Sequence, residues 1–63
     1  MNTAHSLTIP ALEMVYDMLA TAIDEIGPEK TELFLVKLAL LNANALGDAE
    51  QFRAHLAFAS ADL

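Results

Sequence analysis

The chain has 63 residues, 56% of them hydrophobic and 19% charged, which bounds it to one small domain and is too apolar for a disordered tail. Nine acidic side chains against three basic ones give a net charge of −6, which excludes a phosphate-neutralising surface and hence a nucleic-acid partner. The absence of cysteine removes disulfides, thiolate nucleophiles and cysteine-ligated zinc or iron–sulfur sites.

The first nine residues read as a flexible segment ahead of a single small helical domain over residues 10–63. Met1–Thr8 has neither a basic stretch nor a long apolar one, so it does not read as a signal peptide. His5 falls in this segment, where a functional role is not expected. Pro10 suits the first turn of a helix, where no backbone N–H is needed, and Thr8 is positioned to cap it. The helical pattern then continues to Gly27-Pro28, where glycine supplies a left-handed stop and proline cannot extend the helix.

The first helix is expected over residues 10–26. Glu13, Asp17, Ala20 and Asp24 form its polar stripe, and Leu12, Val15, Tyr16, Leu19, Ile23 and Ile26 take the opposite side. Met14, Met18 and Ala22 widen the apolar arc beyond the one-sided stripe of an ordinary surface helix. Glu13 and Asp17, four residues apart, have a spacing that could bridge a metal. Their place on a solvated stripe is the simpler explanation. Tyr16 reads as a core aromatic.

The second helix is expected over residues 29–46. Its polar line is Lys30, Lys37 and Asn44, and the remainder is apolar nearly all round. The run Leu33–Leu41 contains Lys37 and falls well short of the roughly 20 residues of a membrane span. It reads as a buried helix of a cytoplasmic protein. Leu38 is expected in the core, with Val36, Leu40 and Ala43 on another side that three short helices could not also cover. Asn42 lies on an apolar side and is the candidate for fixing the register of an association. Glu29 and Glu32 suit the positive end of the helix dipole.

The third helix is expected over residues 49–61, after Gly47. Asp48-Ala49-Glu50-Gln51 has the form of a capping box. Its apolar stripe is Ala49, Phe52, Leu56, Ala59 and Leu63, with Phe58 projecting from the other side. His55 has no ligand partner at helical spacing. The Glu-x-x-His and His-Glu-x-x-His patterns of metal-binding helices are absent.

The segments Val15-Tyr16-x-x-Leu19, Leu38-x-Leu40-Leu41 and Asn44-Ala45-Leu46-Gly47-Asp48 resemble a family of very short bacterial helical proteins of unknown function. The resemblance spans roughly residues 12–60. That family carries a histidine before its aliphatic-Gly-Asp step, where this sequence has Ala45. The resemblance implies no activity. Some members accompany flavin-dependent aromatic oxygenases, so it implies at most an accessory role.

These features set three expectations. The fold is all-α, three short helices associating into a helical-bundle homo-oligomer, most simply a dimer. Its candidate interface is Val36, Leu40, Ala43, Asn42, Met14 and Met18. The function is that of a non-enzymatic interaction or accessory protein with no cofactor, catalytic residue or metal, whose partner is itself or an unidentified protein. The alternative is a small apolar or aromatic ligand held between helices by Met14, Met18, Phe34 and Leu38, with Tyr16 or Asn42 as the polar contact.

Overall fold

A computed structural model describes residues 6–63, so His5 lies outside the described residues. Among the described residues the secondary structure is three α-helices and no strand: α1 (Ile9–Ile26), α2 (Thr31–Leu46) and α3 (Ala49–Ser60). The chain groups into two compact units, one running through Glu32 and the other Leu33–Leu63. The boundary falls in the first turn of α2.

In the first unit, Thr8 caps α1. Its backbone is extended, with φ −67° and ψ 163°. Its hydroxyl accepts the Ala11 N–H at 3.2 Å, and its carbonyl accepts the Leu12 N–H at 2.9 Å. These bonds satisfy N–H groups that a helix start leaves unpaired. The helix begins at Ile9, so the last residue of the expected flexible segment is helical and Thr8 is tied to the first turn.

The stop at Gly27 differs from the expected left-handed one. Its φ is +89°, but its ψ is 159°. Pro28 is the reason, because the proline ring clashes with a preceding residue of helical ψ and forces it to be extended. Positive φ with extended ψ is essentially open to glycine alone. The Gly27 N–H still closes the last turn on the Ile23 carbonyl at 3.0 Å.

The Gly27 carbonyl then organises the next start. It accepts the Lys30 N–H at 3.3 Å and the Thr31 hydroxyl at 2.7 Å. Pro28-Glu29-Lys30 is therefore a turn, and α2 begins at Thr31 rather than at residue 29.

In the second unit, Gly47 ends α2 with φ +72° and donates its N–H to Ala43 at 3.0 Å. Asp48 caps α3, its Oδ1 accepting the N–H groups of Glu50 and Gln51, each at 3.0 Å. At the far end, the Ala61 N–H reaches the Phe58 carbonyl at 3.3 Å, and α3 stops at Ser60, one residue short of expectation. α2 and α3 thus meet across a joint of two residues whose backbone groups are held on both sides. Leu40, Ala43, Asn44, Ala49 and Phe52 line an open recess of about 460 Å³ beside this joint.

Among the described residues none is buried. Leu38, expected in the core, is half-buried, as are Phe34, Leu46 and Phe52. Tyr16 is also not a core residue, being 70% exposed. Its place on α1 next to the acidic stripe leaves the ring facing outward.

Candidate functional site

Among the described residues the titratable side chains are not brought together into a chemical site. Among the described residues no group of three or more His, Asp or Glu side chains is placed to hold a metal ion. Glu13, Asp17 and Asp24 are exposed on α1. His55 is exposed on α3, one residue from Ala54 and two from Arg53, and Arg53 makes an exposed ion pair with Glu50 at 3.3 Å. A nucleophile beside a base, or a base beside an orienting group, is the minimum for acyl or proton transfer. No hydrogen bond of that kind joins side chains among the described residues: the side-chain bonds present are caps and turns.

The feature that stands out is apolar exposure. Among the described residues sixteen large hydrophobic side chains are exposed, far more than the scattered few that need no explanation. On α3, Phe58 is 80% exposed, and its intended stripe is covered only at Phe52. On α1, Met14 and Met18 are both exposed, one turn apart on one side. A notch there is lined by Asp17, Met18, Thr21, Ala22 and Glu25, and it lies open along the helix surface. Phe34 and Leu38, the other two residues of the expected ligand pocket, belong to the second unit and are half-buried.

On α2 the exposure has a pattern. Leu33, Val36, Leu40 and Ala43 recur at spacings of three, four and three, which places them on one side of the helix. Leu33 is 59% exposed, Val36 49% and Leu40 63%. Ala43 is half-buried at the edge of the recess that it shares with Ala49 and Phe52. Leu38 lies on the opposite side of the helix, which explains why it is covered where Leu40 is not. Apolarity on both sides gives α2 the weakest sidedness of the three helices.

Asn42 is exposed, but it stands across the helix from Val36 and Leu40. It therefore does not share their strip, and Asn44 lies nearer to it. Leu33 was the member of the strip that hydropathy alone did not single out. Its three-residue step to Val36 was the available signal.

No protein family model, curated protein or solved structure matches this sequence. No described helix is long and apolar enough to cross a membrane.

Proposed function

We propose that the protein is a non-enzymatic interaction protein whose folded form is a homo-oligomer, most simply a two-fold dimer, built on the exposed side of α2. The observation that carries this reading is the strip Leu33, Val36 and Leu40, three large aliphatic side chains exposed side by side on a helix whose other side is also apolar. Burying a leucine or valine contributes about 1.5–3 kcal/mol relative to leaving it in water. A two-fold pairing applies that gain twice, because each copy presents the same strip. A chain of 63 residues buries only about 60% of its extended surface when it folds alone. It has no disulfide to offset the shortfall. Association supplies the missing burial.

Light scattering on the purified protein at micromolar concentration tests this reading. The expected mass is at least twice the 6.8 kDa of one chain. A well-folded species of 6.8 kDa at these concentrations would overturn it.

A further inference from the structure

α2 carries two charged side chains, Glu32 and Lys37, and both are exposed. Side chains on one helix meet when they are three or four positions apart. At those spacings Lys37 has Leu33, Phe34, Leu40 and Leu41 as neighbours, and Glu32 has Pro28, Glu29, Leu35 and Val36. Neither has an opposite charge within reach on its own helix. Among the described residues the one ion pair is that of Arg53 with Glu50.

Five positions apart, Glu32 and Lys37 fall on opposite flanks of the strip formed by Leu33, Val36, Leu40 and Ala43. In the lettering of helices that pack side by side, Leu33 and Leu40 take position a, and Val36 and Ala43 take position d. Glu32 is then g and Lys37 is e, the two positions whose charges set partner choice and orientation. When two such helices run in the same direction and in register, each g residue faces the e residue five positions further along its partner. When they run in opposite directions, g faces g and e faces e, and Glu32 has no Lys37 to meet.

We propose that α2 pairs in parallel and in register with α2 of a second copy, with Leu33, Val36, Leu40 and Ala43 as the seam and Glu32 of each copy paired to Lys37 of the other. The proposal rests on the self-association argued above and adds its direction, register and charge code. The seam has four layers, two heptads against the three or four of an autonomous coiled coil, so it holds only together with the contacts each chain makes within itself. Ala43 at the last layer leaves room for the two helices to approach where α3 begins. Glu32, in the first turn, also suits the positive end of the α2 dipole, so the pairing asks no unfavourable placement of it.

The chain has no cysteine, so single introduced thiols report geometry directly. Leu33→Cys and Ala43→Cys are made separately, oxidised alone and as a mixture, and run without reductant after circular dichroism confirms helix. A disulfide needs Cα atoms within about 7 Å. Ten residues of helix span about 15 Å. Parallel pairing predicts that each variant links to itself and that the mixture yields the two self-linked dimers without the mixed one. A mixed dimer between position 33 and position 43, with neither variant linking to itself, means an antiparallel pair; it overturns the proposal and leaves self-association standing. A parent that scatters as a dimer while neither variant links at all places the interface elsewhere and also overturns it. A folded monomeric parent removes both this proposal and the reading beneath it.

The charge code has its own readout, which needs no core substitution. Lys37→Glu should weaken association by about tenfold, since it turns two attractive pairs into two repulsive ones. Adding Glu32→Lys to that variant should restore the parent's association. A double variant as weak as the single one contradicts the pairing of Glu32 with Lys37.

Discussion

Asp48 Oδ1 holds the N–H of Gln51 at 3.0 Å while also accepting the N–H of Glu50 at 3.0 Å, so one carboxylate oxygen closes the start of α3. Asp48→Ala removes both bonds. The expected cost is about 1 kcal/mol. For a domain of this size that is a fall of about 4–8 °C in Tm. Asp48→Asn keeps the acceptor and should lose much less. Thermal melts followed by circular dichroism decide it, and equal melting for Ala and Asp would contradict the capping role.

Gly27 gives a second, independent expectation. Its φ of +89° with ψ of 159° is closed to residues with a Cβ, although no atom lies within 4 Å of where that Cβ would stand. The cost of Gly27→Ala is therefore one of backbone conformation alone, about 1–3 kcal/mol. Gly47→Asn should cost less, because asparagine tolerates the left-handed region indicated by the Gly47 φ of +72°. Denaturant midpoints of the two variants provide the comparison, and the reverse order would show that the Gly27 turn relaxes.

Leu40→Glu is the sharpest change at the proposed interface. It places a carboxylate at the middle of the strip, where pairing would bury it at a cost of several kcal/mol. A small domain has about 5 kcal/mol to lose. Dissociation and loss of helix should therefore occur together. A variant with the parent's mass and the parent's Tm would remove α2 from the interface and move attention to Met14 and Met18 on α1.

Asn42→Ala serves as the matched control. Asn42 is exposed across the helix from Val36 and Leu40, and alanine is the better helix former. Stability should change by no more than about 0.5 kcal/mol, with the mass in solution unaltered. Loss of association in this variant would mean that α2 meets its partner with the opposite side.

The helices were legible because their signals are local. Thr8 with Pro10, Gly27 with Pro28, and Asp48 with Gln51 each act over three residues or fewer, and each marks an element end within two residues of where it occurs. α2 starts at Thr31 and not at residue 29 because Pro28 can open a helix or a turn. The Thr31 hydroxyl on the Gly27 carbonyl, a contact invisible to hydropathy, favours the turn. Leu38 and Tyr16 are less buried than their apolar surroundings in the sequence imply, for a different reason. Apolar character shows that a residue gains from being covered, but not which of several apolar sides of a helix is covered within the chain. Val36 and Leu40 share one side of α2, and both are exposed there. Asn42 joins them in the expected interface for its capacity to fix register, although two residues of helix turn it away from Leu40.

The central claim is that folding and self-association are one process, and the most direct test is the Tm of the unmodified chain across a hundredfold dilution. Mass action shifts the stability of an associated state by RT ln 100, about 2.7 kcal/mol. With about 2.1 cal/mol/K of unfolding entropy per residue in each of two chains, Tm should fall by about 10 °C from the concentrated to the dilute sample. A Tm that stays constant over the same range, with full helix content at both ends, would contradict the account.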